Sequence, residues 1–217
     1  MKRVLNISII PVIVILFLSC SKPAIQRTDN EIKVTIGGKD TCEGPDADIN
    51  CYFAGMPADL TNIMKIADDG EPGERMIITG QVLRSDRVTP YPGVIMYAYH
   101  TDNKGYYSKK GTETGIRKWH GHLYGWCVTD ENGRYEIHSI RPSRYPGNIA
   151  PAHIHSALKF TNDSQPVHIN DFVFKDDSLV DENYISSQRY EGGSGVVELI
   201  KSSDGILRGE RKIVLEK

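Results

Sequence analysis

The stretch Pro151-Ala152-His153-Ile154-His155 carries the pattern with the most chemical content in the chain. On a strand, residues two apart project from the same face, so His153 and His155 stand side by side while Ile154 turns toward a core. Two imidazoles so placed can share one metal ion. An alternating polar face on a solvated sheet gives the same pattern, and both readings stand at this point. A second pair, His120 and His122, lies in Trp119-His120-Gly121-His122-Leu123-Tyr124-Gly125-Trp126. These two can orient a ligand oxygen or support a metal site from behind, or belong to a polar turn with aromatic packing. A separate metal centre there lacks companion carboxylates. His100, His138 and His168 carry no pattern and read as surface or satisfied-core residues.

The elements that must position these groups are short. Met76–Leu83, Gly93–Tyr99, Trp126–Thr129, Tyr135–Ile140, Ile154–Phe160, Phe172–Phe174, Val196–Ile200 and Lys212–Leu215 are branched or aromatic runs bounded by turn residues. Asp130-Glu131-Asn132-Gly133 between two of them predicts a hairpin. Gly192-Gly193-Ser194-Gly195 lacks the lysine and following helix of a phosphate cradle, and reads as a turn before the Val196 strand. Many short strands without a long helical period predict an all-β sandwich. Only Ala58–Ala67 looks helical, inside an N-terminal extension over residues 36–74; the sandwich is expected over 75–217.

The N-terminus sets the expected compartment. Met1-Lys2-Arg3 precedes an apolar run, Ile7–Leu18, which ends at Ser19-Cys20. The run is short for a membrane span and reads as a secretory signal over residues 1–19. Its end resembles the lipobox of bacterial lipoproteins, which implies lipidation at Cys20 and attachment to the cell envelope, periplasmic or at the outer membrane. Residues 20–35 then read as a tether. Cys42 and Cys51, in a Gly/Pro/Asp-rich loop outside the reducing cytosol, are expected to join in a disulfide. Cys127, between Trp126 and Val128, reads as a buried small apolar residue. With 26 Lys and Arg against 28 Asp and Glu and a net charge of −2, the chain has no basic stripe, which argues against a nucleic-acid partner.

Around the His-x-His pair, further segments form a series: Asn103-Lys104-Gly105-Tyr106-Tyr107, Asp130-Glu131-Asn132-Gly133-Arg134-Tyr135, Ile140-Arg141-Pro142, Tyr145-Pro146, and then Pro151–His155. This series resembles the C-terminal domain of the intradiol ring-cleavage dioxygenases, the family of protocatechuate 3,4-dioxygenase and catechol 1,2-dioxygenase, over about residues 80–174. The resemblance implies one non-haem Fe(III) held by Tyr107, Tyr145, His153 and His155, with Tyr106 the rival of Tyr107. Since neighbouring strand residues face opposite sides, only one of the two can serve. Phenolate is a hard anionic donor suited to ferric iron. Tyr145 is implied to accept a proton from a catecholic substrate, which O2 then cleaves to a muconate-type diacid.

This sequence has Ala150 where the family places an arginine. Arg144, beside Tyr145, is the candidate catalytic stand-in, and Asp171 or Asn170 takes the place of a family glutamine. His120, His122 and Asp171 are the expected substrate-facing residues. The implied partners are a small catecholic aromatic, O2 and the membrane through the lipid anchor; a homo-oligomer is compatible with this class. Two other readings remain beside the enzyme. One is a binding module of the transthyretin-like or carboxypeptidase-regulatory kind without iron, and the other an iron-tyrosinate protein that binds catecholates without cleaving them.

Overall fold

The computed structural model describes residues 25–28, 31–34, 42–147, 149–160 and 165–216. The signal segment, Cys20 and half of the expected tether lie outside them. The chain divides into two units, Met1–Lys39 and Asp40–Lys217. In the first, β1 (Ile25–Thr28) pairs antiparallel with β2 (Glu31–Val34), so strands occur where a plain tether was expected.

The second unit is an all-β sandwich of two five-stranded sheets. One sheet runs β11 (Ile200–Lys201), β12 (Leu207–Val214), β4 (Arg75–Leu83), β7 (Arg134–Ile140), β3 (Ile63–Lys65). The other runs β10 (Val196–Val197), β9 (Val167–Phe174), β8 (His153–Lys159), β5 (Ile95–His100), β6 (Tyr124–Val128). The β12–β4, β3–β7 and β10–β9 pairs are parallel and the others antiparallel. Period-two alternation places Met76 and Ile78 of β4, Tyr135 and Ile137 of β7, Met96 and Ala98 of β5, and Ile154 and Leu158 of β8 in one core between the sheets.

The opposite phase of β5, β6 and β8 builds a second, smaller core on the outer face of their sheet. Tyr97, Tyr99, Tyr124, Trp126 and Ala157 gather there under Tyr52 and Phe53. The cover comes from a 3-10 turn, Ile49–Phe53, and a disulfide joins Cys42 to Cys51 with a Cα separation of 5.4 Å. The first segment after residue 40 is therefore part of the sandwich rather than an appendage.

Two expectations are corrected. Ala58–Ala67 forms no helix: Ile63–Lys65 is a strand, with Met64 fully buried between two exposed neighbours. Val128 N donates to Thr61 O and Glu136 N to Asn62 O, so this segment closes the edge of both sheets, and those pairings override a weak local helical tendency. The Asp130–Gly133 turn forms, with Gly133 N donating to Asp130 O at 2.9 Å, but β6 and β7 do not pair. Turn chemistry specifies the reversal, and the chain uses it to cross from one sheet to the other. Cys127 is fully buried, as its neighbours suggested.

Candidate active site

Tyr99 and His155 are directly opposed in the β5–β8 ladder and project from the same outer face, their ring centroids 4.8 Å apart. His153 is two residues upstream on that face, and its Nε2 lies 3.0 Å from His155 Nε2. Two loops deliver tyrosines to the same point. Tyr145 Oη is 3.1 Å from His153 Nε2 and 3.2 Å from His155 Nε2, and 2.5 Å from Tyr107 Oη. The four atoms converge; Tyr106 is 56% exposed and takes no part.

A close backbone approach holds the two loops together. Asp102 Oδ1 accepts from Lys104 N and Tyr106 N, closing a turn in which Gly105 has φ +85°. A Cβ at Gly105 would stand 2.0 Å from the Arg144 carbonyl oxygen, so only glycine fits between the Tyr107 and Tyr145 loops. Gly121, with φ +74°, likewise lets the His120–His122 turn lie on the Tyr107–Ser108 backbone, and His122 N donates to Ser108 O at 2.9 Å.

The histidine tautomers follow from their outer partners. His153 Nδ1 is 2.7 Å from the Pro151 carbonyl oxygen, which can only accept, so Nδ1 carries the proton. His155 Nδ1 is 3.0 Å from Asp171 Oδ1 and donates to it in the same way. Both Nε2 lone pairs therefore face each other, and the one Tyr145 hydroxyl proton can satisfy only one of them. Burial lowers the His153 pKa, His155 adds to this, and a second proton is disfavoured there. Burial and the hydrogen bond with Tyr145 raise the pKa of Tyr107; burial raises that of Tyr145 against the Tyr107 hydrogen bond. Desolvation pushes Asp171 upward, but the His155 hydrogen bond with the charges of His155, His153 and Arg211 holds it below the ordinary carboxylate value.

Such a cluster fits a cation. Donors about 2.0–2.2 Å from one ion sit roughly 3 Å from each other. The observed separations of 2.5–3.2 Å match that spacing. A highly charged ion also reverses the penalty on ionising the buried phenols. Hard phenolates with imidazoles suit Fe(III). His153, His155 and Asp171 also form a three-residue group of metal-ligand type, in which Asp171 stands behind the His155 ring.

Three of the remaining candidates lie elsewhere than expected. Arg144 is not aimed at the cluster: its Nε donates to Asp177 Oδ2 at 2.9 Å and its NH2 to Asp177 Oδ1 and Ser178 Oγ. Asp177 also accepts from Ala152 N and Leu179 N, so this ion pair ties the Tyr145 loop to the start of β8. His122 bridges Ser108 O and Glu71 Oε2, turned away from the four donors. His120 is buried with Nδ1 2.9 Å from Tyr97 Oη, and stacks on Tyr99 at 3.5 Å, one ring removed from His155. Asp171 alone of the expected substrate-facing set touches a cluster residue. Asn170 turns away, hydrogen-bonded to Tyr190 and Gly193.

Tyr99, Tyr52 and Asp177 escaped the sequence reading. The Tyr97–Tyr99 alternation against Met96 and Ala98 is a signal that could have exposed the first, whereas nothing local marks Asp177 as the anchor of Arg144. Of the unpatterned histidines, His100 is a satisfied core residue held by Thr101 O and Ser139 Oγ. His138 pairs with Glu136, and His168 packs between Tyr52 and Tyr190.

Two tyrosines and two histidines converge on one point of a two-sheet sandwich, a donor set able to hold a single metal ion. Residues 48–205 match the Dioxygenase family, and the chain belongs to the intradiol ring-cleavage dioxygenases. It is 31% identical over 138 residues to chlorocatechol 1,2-dioxygenase of Rhodococcus opacus, covering 56% of this chain and 51% of that protein. It is 29% identical over 140 residues to catechol 1,2-dioxygenase of Acinetobacter baylyi, covering 63% and 42%. The chain thus spans about half the length of these curated relatives. The catechol 1,2-dioxygenase structure from Acinetobacter sp. ADP1 superposes with a TM-score of 0.55 at 18% identity, over 76% of this chain and 59% of that one. The dioxygenase domain of a carbohydrate-binding fusion from Streptomyces sp. SirexAA-E gives 0.54 at 18%, over 74% and 92%. At such identities these two establish the fold.

Proposed function

We propose that this protein is an Fe(III) intradiol dioxygenase that opens a catechol-type ring with O2 to a muconate-type diacid. The observation that carries the reading is the convergence of Tyr107 Oη, Tyr145 Oη, His153 Nε2 and His155 Nε2 within 2.5–3.2 Å of their neighbours. Ferric iron held by these four would supply Lewis acidity and an orienting charge. The chain's own residues do the rest. Pro151 O and Asp171 fix the imidazole tautomers so that both Nε2 atoms point inward. Tyr145, whose hydroxyl meets the other three donors, is the group placed to accept a catechol proton at Oη. Tyr99, stacked on His120, walls the His155 side.

The signal-like N-terminus with its lipobox-like Cys20, and the Cys42–Cys51 disulfide, support an exported, lipid-anchored protein as part of this proposal. The test is oxygen consumption by iron-loaded protein with catechol, with the product identified by mass. Incorporation of both oxygen atoms into a ring-opened diacid, lost in Tyr145→Phe at retained fold, supports the enzyme. Catechol binding without oxygen uptake would reduce it to an iron-tyrosinate binder.

A further inference from the structure

Asp171 is a carboxylate in direct contact with the four-donor cluster, through His155. Asp171 has a side chain 29% exposed, so solvent and ligands reach it. One of its oxygens accepts from His155 Nδ1, and the other accepts no hydrogen bond among the described residues. Its charge also acts on Tyr107, Tyr145 and His153.

The basic side chains Arg144, Arg211, His122 and Arg117 are turned to other partners. Arg144 is bound to Asp177 and Ser178. Arg211 donates from NH2 to the Asn170 and Gly192 carbonyls, is 4% exposed and lies 4.1 Å above the Phe172 ring. Since Phe172 follows Asp171 on β9 and belongs to the inter-sheet core, Arg211 sits behind the sheet, away from the outer face. His122 faces Glu71, and Arg117 lies over Tyr124 and Trp126 of β6. Arg189 is exposed in the segment that lines a cavity of about 530 Å³ with Gln188, Tyr190 and Gly193, and none of the four donors borders that cavity.

We propose that the Asp171 carboxylate makes this site select catechols whose ring substituent is a protonated amine over those bearing a carboxylate. The inference rests on the catechol reading above and names the substrate class within it. A substituent charge near Asp171 is attracted or repelled according to its sign. The two signs act in opposite directions, so comparing amine with acid doubles the contrast that either makes with a neutral ring.

The experiment uses full-length iron-loaded protein, its iron content assayed, titrated without oxygen. Two probes share one ring: 2-(3,4-dihydroxyphenyl)ethylamine and 3,4-dihydroxybenzoate. Kd is read from the change in visible absorption. The wild-type protein is expected to bind the amine at least about tenfold more tightly than the acid, a gap of about 1.4 kcal/mol. Asp171→Asn, whose amide oxygen still accepts from His155 Nδ1, is expected to bring the ratio down severalfold, while Asp171→Glu keeps it. General damage to the site moves both affinities together and leaves the ratio in place, so a variant with weakened iron binding remains informative. Equal affinities in the wild type, or a ratio unchanged in Asp171→Asn, overturn the selectivity. If the neutral 4-methylcatechol and both probes leave the spectrum of fully iron-loaded protein unaltered, the catechol reading itself falls and the selectivity with it.

Discussion

Gly105→Ala is the substitution that most directly couples the fold to the site. At φ +85° an alanine carries left-handed strain, and its Cβ would stand 2.0 Å from the Arg144 carbonyl oxygen. The first effect costs ~1–2 kcal/mol. The second forces two backbone segments apart by more than an ångström, and overpacking of this kind costs ~1–3 kcal/mol. The displaced segments are those that carry Tyr107 and Tyr145, whose hydroxyls meet at 2.5 Å. Gly111 provides the control: its φ is +90°, and nothing lies within 4 Å of a Cβ built there. Gly111→Ala therefore carries the strain without the collision. Thermal unfolding should show Gly105→Ala lower than Gly111→Ala by roughly 2–12 °C, taking ~2–4 °C per kcal/mol for a domain of this size. Iron bound per chain should fall in the first variant and hold in the second. Equal Tm values, or full iron retention in Gly105→Ala, would refute the claim that this contact sets the Tyr107–Tyr145 geometry.

Other consequences are equally concrete. His100 is 1% exposed and burial pushes its pKa from 6.5 down to about 4, so between those values the unfolded chain binds the extra proton and stability falls as pH falls; the loss approaches about 3 kcal/mol below pH 4. Urea unfolding across pH 7 to 4 should show that slope, and His100→Gln should flatten it. Asp177→Ala removes the shared acceptor of Arg144, Ala152 N and Leu179 N, and should destabilise by about 3 kcal/mol in denaturant unfolding, whereas a wild-type midpoint would show that the ion pair does not hold the Tyr145 loop. Reducing the Cys42–Cys51 bond, which closes a loop of sequence separation 9, should cost about 2–3 kcal/mol and loosen the Tyr52–Phe53 cover, visible as faster amide exchange there.

The sheet residues were legible because alternation is a local property. Met76–Leu83 and Tyr135–Ile140 announce their strands, and the His-x-His spacing announces that His153 and His155 share a face while Ile154 enters the core. What depends on tertiary pairing was not legible. Residues 58–67 look helical until Met64 is seen buried in β3 against β7, and Asp130–Gly133 marks a reversal without saying which sheet the next strand joins. The site divides along the same line. Family spacing pointed to Tyr107, and the turn closed by Asp102 and Gly105 explains why it, and not the exposed Tyr106, reaches Tyr145. Arg144 looked catalytic because it adjoins Tyr145 in sequence, but Asp177, 33 residues away, claims its guanidinium.

The central claim is that Tyr107, Tyr145, His153 and His155 together hold ferric iron. The most direct measurement is the visible absorption spectrum of the protein lacking residues 1–20, with iron assayed on the same sample. The account predicts about one iron per chain and a tyrosinate-to-Fe(III) charge-transfer band that weakens or shifts in Tyr145→Phe. Protein that stays colourless and takes up no iron when ferric ion is added back would contradict it.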